Sequence, residues 1–382
     1  MKHIYFDHAA TTPLRSEVIE VMHQAMSQHF GNPSSTHQFG RQAKSGVEQA
    51  RKTIAAQLGA HPAEIIFTSG GTEADNMIIY GAVRDLGVKR VITTAIEHHA
   101  VLHPLEDLRD QGLIELLFLS IDDQGHPDLD ELNELLGKVP TKTLVSLMHV
   151  NNEIGNLLDV ARVAKICQDH QALFHSDTVQ SIGHFAWNLQ EVPIDFLTAA
   201  AHKFHGPKGI GFAFIRKKHP IKPLIAGGAQ ERGFRAGTES VHNILGMEKA
   251  FVLSYEKLEQ EQRYVLHLKK YFIDQLTSRI PGVQFNGACA DLDKSTYTLL
   301  NVSLPLTQEQ SLMLLFQLDM QGIACSKGSA CQSGSSQASH VLTELLSDTS
   351  RAANAIRFSL AHTNQVEEID YAVDQLCALM AQ

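Results

Sequence analysis

The stretch Glu64-Ile65-Ile66-Phe67-Thr68-Ser69-Gly70-Gly71-Thr72 decides the fold class. Its first half is an apolar run of the length of a buried strand. Its second half is a glycine turn that leads into a helical pattern through Asn76-Met77-Ile78. The same alternation repeats outward along the chain. Arg90-Val91-Ile92-Thr93-Thr94, Thr143-Leu144-Val145-Ser146-Leu147-Met148 and Ala172-Leu173-Phe174-His175 read as strands, separated by helical patterns such as 158–170. Strands interleaved with helices predict an α/β core on a mostly parallel sheet with crossover helices. Ala43, Val47, Ala50, Ile54 and Leu58 mark the buried face of one helix, which Gly59 ends. Further on, one long polar helix is predicted over 246–278, then a strand over 296–302 and a helix over 312–320. A last helix turns Ile369, Val373, Leu376 and Met380 to one side, with Asn364 and Glu367 as a capping pair. The pattern predicts a large domain over 15–257 and a smaller α+β domain made of 1–14 plus 258–382.

A chain of 382 residues has room for two packed lobes. Its 43% hydrophobic and 19% charged residues exclude a disordered chain and fit a soluble globular one. The net charge of −10 argues against polyanionic partners, so no nucleic acid and no membrane surface is expected. The opening Ile4-Tyr5-Phe6-Asp7-His8 puts an acid where a signal peptide would be apolar, and no apolar run reaches the ~20 residues of a membrane span. The expected location is cytoplasmic. Cys167, Cys289, Cys325, Cys331 and Cys377 form too odd and sparse a set for a disulfide framework. With neither C-x-x-C nor H-E-x-x-H present, no metal is expected.

One lysine stands in a suggestive setting. The apolar run Ile194-Asp195-Phe196-Leu197-Thr198 leads into Ala199-Ala200-Ala201-His202-Lys203-Phe204-His205-Gly206. A lysine held between a buried strand and glycine turns loses solvation, which favours its neutral, nucleophilic amine. Alone, the segment reads better as a solvated turn. Other strand ends add to it. Asp177 could pair with a protonated pyridine nitrogen, Ser69-Gly70-Gly71-Thr72 offers backbone N–H groups to a phosphate, and His98 could lie over a flat ring. Open α/β sheets bind their ligands at such ends.

At this point the chain resembles a known family. Tyr5-Phe6-Asp7-His8-Ala9-Ala10-Thr11-Thr12-Pro13, Phe30-Gly31-Asn32-Pro33, Phe67-Thr68-Ser69-Gly70-Gly71-Thr72-Glu73, His149-Val150-Asn151-Asn152-Glu153, His202-Lys203, Arg235-Ala236-Gly237-Thr238, Gly328-Ser329-Ala330-Cys331 and Ile356-Arg357-Phe358-Ser359 follow in order. This set resembles the cysteine desulfurases of the NifS/IscS type, within the class V, fold type I pyridoxal-phosphate enzymes. The resemblance implies a large domain on a mostly parallel, seven-stranded type of sheet and a smaller α+β domain. It implies pyridoxal 5'-phosphate as a Schiff base on Lys203, which later moves the substrate's Cα proton. His98 would stack on the ring, Asp177 would pair with its nitrogen, and Gln180 would reach its phenolic oxygen. Gly71, Thr72 and His202 would hold the phosphate, joined by Thr238 from the partner subunit of a homodimer. Asn152 and Arg357 would orient the carboxylate of L-cysteine.

Cys331 would take the sulfur as a persulfide, release alanine, and pass the sulfur to an acceptor protein such as an iron–sulfur scaffold or a thiolation protein. Small and polar neighbours predict a loop around it, where Lys327 or a histidine could favour its thiolate. Cys325 is a second candidate acceptor. Ala200 stands where the family usually has a serine touching the phosphate, Thr178 follows Asp177 in place of a small residue, and Ala361-His362 replaces Gly-Arg. The sequence stops at Gln382, earlier than relatives whose C-terminal tail grips an iron–sulfur scaffold protein, so the resemblance leaves scaffold docking open. An aminotransferase or selenocysteine lyase of the same fold would need Lys203 and Asp177 but not Cys331.

Overall fold

A computed structural model describes residues 3–138, 140–328 and 339–381. The first elements are β1 (Ile4–Tyr5), α1 (Ser16–Gln28) and α2 (Gln38–Leu58). The main sheet is built from β2 (Ile65–Thr68), β3 (Arg90–Thr93), β4 (Glu115–Phe118), β5 (Thr143–Ser146), β6 (Leu173–Asp177), β7 (Phe196–Ala200) and β8 (Gly211–Ile215). Its order is β2-β8-β7-β6-β5-β3-β4. The run from β7 to β4 is parallel, and β8 lies antiparallel between β2 and β7. The fold is therefore α/β with a mostly parallel seven-stranded sheet.

Six of these strands are buried along their length, as expected for a sheet covered on both faces. The edge strand β4 has exposed ends at Glu115 and Phe118 and so lacks the continuous apolar signature. The sequence reading missed it for that reason. The crossover helices are α3 (Gly71–Arg84), α4 (His99–Asp110), α5 (Leu129–Lys138) and α6 (Val160–Asp169). Val47, Ile54, Phe174, Leu197 and Phe212 belong to one core, and Ile66, Met77, Ile78, Leu105 and Phe196 to another. Ala43, Val47, Ala50, Ile54 and Leu58 point inward as predicted, and Gly59 ends α2 at φ 67°.

The predicted single helix over 246–278 is two: α7 (Val241–Glu256) and α8 (Leu258–Arg279), broken at Lys257 with φ −102° and ψ 3°. Helical periodicity continues across a one-residue break, so the pattern could not mark it. The remaining elements are β9 (Gln284–Phe285), β10 (Leu299–Ser303), α9 (Gln308–Met320), β11 (Ile323–Ala324), α10 (His340–Leu345), α11 (Thr349–Ala353), β12 (Ala355–Ser359) and α12 (Val366–Met380). β10 lies antiparallel between β9 and β12, and β1 pairs in parallel with β11. Ile4, Phe6, Leu268, Phe272, Phe358 and Leu376 share a core here. The cap of α12 sits one residue later than predicted: Gln365 and Glu368 form the box. Asn364 instead ties Glu368 to the Tyr5 carbonyl, at 3.0 Å each. Among the described residues, no helix is long and apolar enough to cross a membrane.

The segment after β1 joins this second core to the main sheet. Ala9 N–H donates to Ser359 Oγ at 2.8 Å, and Thr12 N–H donates to the His202 carbonyl at 2.8 Å.

Candidate active site

The C-terminal ends of β2, β3, β5, β6 and β7 meet at one edge of the sheet, where crossover geometry leaves a crevice. A cavity there is lined by Gly71, Thr72, His98, Asn152, Asp177, Gln180, His202, Lys203 and Arg357. Nine of the eleven predicted site residues, spread over the chain, thus meet in one site, and two are absent from it. Thr238 is exposed and lines a different cavity, beside Thr68, Ser69 and Arg235. Cys331 lies outside the described residues.

Lys203 ends a single 3-10 turn that follows β7. Its Nζ donates to the Ala9 carbonyl at 2.6 Å and to the Ala10 carbonyl at 3.0 Å. Its own carbonyl accepts from His184 Nε2 at 2.9 Å. The amine is therefore aimed across the crevice at the N-terminal segment. Gln180 Nε2 donates to the same Ala9 carbonyl at 2.9 Å, so both side chains meet at one point of the wall.

Helix α3 starts at Gly71, and no side chain caps its first turn. Its orphan N–H groups and the helix dipole favour an anion there. A Cβ on Gly71 would lie 2.6 Å from Val179 Cγ2, so only glycine keeps the turn this close to the cavity floor. Ala200 contributes a methyl group to that floor and no donor. His202 stands beside it with Nδ1 3.2 Å from Thr11 Oγ1. Burial and the charge of Lys203 lower the His202 pKa to about 4, so it serves as a neutral hydrogen-bonding ring.

At the end of β6, Asp177 Oδ1 accepts from Val179 N–H at 2.9 Å. Burial, with the neighbouring Asp75 adding to it, raises the Asp177 pKa to about 7. A cationic ring nitrogen would supply the counter-charge this carboxyl lacks. Thr178, the unusual residue beside it, is fully buried, and its hydroxyl donates to the Thr198 carbonyl at 2.6 Å. That substitution is absorbed by the backbone of β7 and leaves the cavity unchanged in polarity.

His98 caps α4, its Nδ1 accepting from Ala100 N–H at 3.1 Å. Burial first, then the charge of Lys203, lowers its pKa to about 4. The neutral ring therefore carries its proton on Nε2. Arg357 on β12 donates from Nη1 to the Asn152 carbonyl at 2.8 Å and from Nη2 to Asp7 at 3.0 Å. Its Nε has no partner among the described residues, although the side chain is 1% exposed. A buried guanidinium with a spare N–H beside Asn152 is equipped to bind a carboxylate.

Sequence reasoning missed Asp75, on the inward face of α3. It lines the cavity at 1% exposure, and burial raises its pKa to about 7 even though the Thr198 side chain hydrogen-bonds it. His175 Nε2 lies 3.3 Å from it, and His175 Nδ1 lies 2.9 Å from Ser146 Oγ. An acid within the apolar pattern Ala74-Asp75-Asn76-Met77-Ile78 was the available signal. Glu97 was missed as well. It receives Met148 N–H at 3.0 Å, and burial pushes its pKa up to about 8.

Two expectations around the loop change. Lys327 turns its ammonium to the Ser311 carbonyl at 2.6 Å and the Ala353 carbonyl at 3.1 Å. It is thus engaged with the second core. Burial pushes the Cys325 thiol up to about 12, which disfavours the thiolate a sulfur acceptor needs. The uncapped α3 turn, the buried carboxyl at Asp177 and the lysine opposite fit pyridoxal 5'-phosphate.

The aminotransferase class-V family matches residues 4–372. A cysteine desulfurase IscS of Dictyoglomus turgidum is 41% identical over 377 residues, covering 98% of this chain and 94% of that protein. Among solved structures, a NifS-like protein superposes with a TM-score of 0.90 at 34% identity, covering 100% of both chains. A structure of SspA in complex with cysteine superposes with a TM-score of 0.80 at 30% identity, over 94% of this chain and 98% of that one. By fold, by site and by end-to-end similarity, the chain belongs to the aminotransferase class-V family, in its group of cysteine desulfurases of the NifS/IscS type.

Proposed function

We propose that the chain is a pyridoxal-phosphate-dependent cysteine desulfurase that holds its cofactor on Lys203 and moves the sulfur of L-cysteine onto Cys331. The observation that carries this reading is the convergence of Lys203, Asp177 and the Arg357 guanidinium, with its spare Nε, on one cavity. The relatives named above support the choice of reaction and substrate.

Bound there, pyridoxal phosphate supplies an electron sink for negative charge developing at the substrate's Cα. The side chains do the rest. Asp177 would hold a positive charge at the ring nitrogen, and the first turn of α3 would hold the phosphate with His202. Arg357 and Asn152 fix the substrate carboxylate, which sets the direction of the Cα–H bond toward Lys203. The Lys203 amine would take that proton, and the Nε2–H of His98 would donate a hydrogen bond or proton at the substrate. The Cys331 thiolate then attacks the substrate sulfur. An S–S bond forms as the Cβ–S bond breaks, and the electron pair left on Cβ takes a proton to give alanine.

The same reading places Thr238 at the site of the partner subunit in a homodimer. Exposed Ile19, Met26, Phe30 and Phe39 on and beside α1 and α2 offer an apolar face for that contact. The two domains are assigned to 15–257 and to 1–14 plus 258–382, because Ile4 and Phe6 pack with the second core. The sulfur would pass to an iron–sulfur scaffold or thiolation protein in the cytoplasm. Mass spectrometry after incubation with L-cysteine should find one added sulfur on Cys331 and free alanine. If Cys331→Ala released alanine and sulfide at the wild-type rate, the acceptor role would be wrong and an aminotransferase-like or lyase reading would replace it.

A further inference from the structure

The motif Asn151-Asn152-Glu153 contributes Asn152 to the cavity, and the mechanism leaves Glu153 without a role. Glu153 is 0% exposed. Its backbone is fixed on both sides: its N–H donates to Asn151 Oδ1 at 2.9 Å, and its carbonyl accepts from Asn301 Nδ2 at 2.9 Å. A carboxyl rooted this firmly has few places to point.

It points to where two chain segments meet. Glu153 Oε2 accepts from the Ser339 hydroxyl. That hydroxyl also accepts from Leu342 N–H at 3.1 Å and so caps α10. On the other side stands Gly328, in the left-handed region at φ +69°. A Cβ on Gly328 would lie 3.0 Å from Glu153 Oε2 and 3.1 Å from Ser339 Cβ. Gly328, before Cys331, and Ser339, after it, therefore lie close together beside one buried carboxyl group, with no room for a side chain at Gly328.

The same short segment also ties in the carboxylate-binding arginine. The Asn152 carbonyl receives Arg357 Nη1, and the Arg357 backbone pairs with Ser326 through N–H···O distances of 2.7 and 3.3 Å. A second bond anchors the later stem, from His340 Nε2 to the Glu97 carbonyl at 2.9 Å, one residue from His98. Both stems are thus referenced to the residues that would hold the substrate.

We propose that Glu153 is a positioning residue for sulfur transfer, bonding Ser339 and packing against Gly328 so that the segment bearing Cys331 is presented to the substrate at Asn152 and Arg357. The inference rests on the reading of Cys331 as sulfur acceptor. Fixing both ends of a chain segment removes most of the arrangements in which its nucleophile is far from the target. Losing the clasp should therefore slow the transfer and leave the earlier steps at Lys203 intact, a split that a merely structural role would not produce.

The test uses the full chain with its cofactor bound, as wild type, Glu153→Ala, Glu153→Gln and Ser339→Ala. Two rates are followed after mixing with L-cysteine: the change in cofactor absorbance, and the appearance of persulfide on Cys331 by alkylation and mass spectrometry. Glu153→Ala and Ser339→Ala should keep the absorbance change within about twofold and slow the persulfide by about 10- to 100-fold. Glu153→Gln, which keeps an acceptor oxygen for Ser339, should largely restore the second rate. Ser339→Ala removes one oxygen atom and stands as the decisive variant if Glu153→Ala does not fold. Unchanged persulfide rates, or equal losses in both readouts, overturn the clasp. A wild-type chain that forms no persulfide on Cys331 overturns the acceptor reading, and the clasp with it.

Discussion

Ala200 is where a single atom separates this site from the family's usual one. Its Cβ would stand 3.8 Å from a Cβ placed on Gly71, at the turn where the first N–H groups of α3 emerge. A hydroxyl there could add one hydrogen bond to a charged phosphate, worth roughly 1.5–3 kcal/mol. Ala200→Ser should therefore tighten cofactor binding about tenfold or more, read by titrating the cofactor-free chain and following absorbance. Unchanged or weaker binding would mean the backbone already satisfies the phosphate. At this scale the sequence was informative about residues with a strand end before them and a glycine or helix start after them. Lys203, His98 and Gly71 have that local signature, and Asp177 has its first half, as the last residue of β6. Asp75 and Glu153 do not, because their importance comes from burial and from partners far along the chain, such as His175 and Ser339.

At the scale of elements, the reversal of β8 is the tightest constraint. A Cβ on Gly211 would lie 2.2 Å from the Ala199 carbonyl oxygen and 2.9 Å from Gly70 Cα. Neither backbone atom can rotate away. Gly211→Ala should destabilise the chain by about 1–3 kcal/mol or more and, by moving Gly70, weaken cofactor retention as well. Urea unfolding with a cofactor absorbance readout checks both effects; a normal midpoint with normal absorbance would show that the sheet edge yields. The strands with continuous apolar runs were legible because both their faces are covered. Strand β4 was not, since an edge strand half in water has no such run. The break at Lys257 escaped because both helices keep one amphipathic period across it.

At the scale of the molecule, the unusual count of 21 histidines becomes a statement about acid. Burial holds His8, His98, His99, His149, His175 and His202 at about 4 and His205 at about 2. Asp75 and Asp177 rise to about 7 and Glu97 to about 8. In the unfolded chain each histidine takes a proton near pH 6.5, while the folded chain refuses it until about 4. The histidines therefore stabilise the fold above 6.5, and that stability is lost as pH falls. The three acids act oppositely: the fold keeps their protons, so their contribution is present at low pH and lost as pH rises through about 7 to 8. Seven groups outweigh three below 6.5. The thermal midpoint should peak near pH 7 and fall by several degrees toward pH 5. A midpoint that climbs on acidification would contradict the burial of these rings.

The pairing of the first strand carries a consequence in time. Ile4 pairs with Ile323, Asp7 bridges Ser359 and receives Arg357, and Ala9 binds Ser359 across 350 positions. The carbonyls of Ala9 and Ala10 are the ones Lys203 reaches. On the ribosome, the first residues emerge long before their partners exist, while the strands of the main sheet can already associate. The wall opposite Lys203 is completed only when β12 has left the exit tunnel. A nascent chain can thus own a sheet and a lysine but no closed pocket, and cofactor capture belongs to the finished protein.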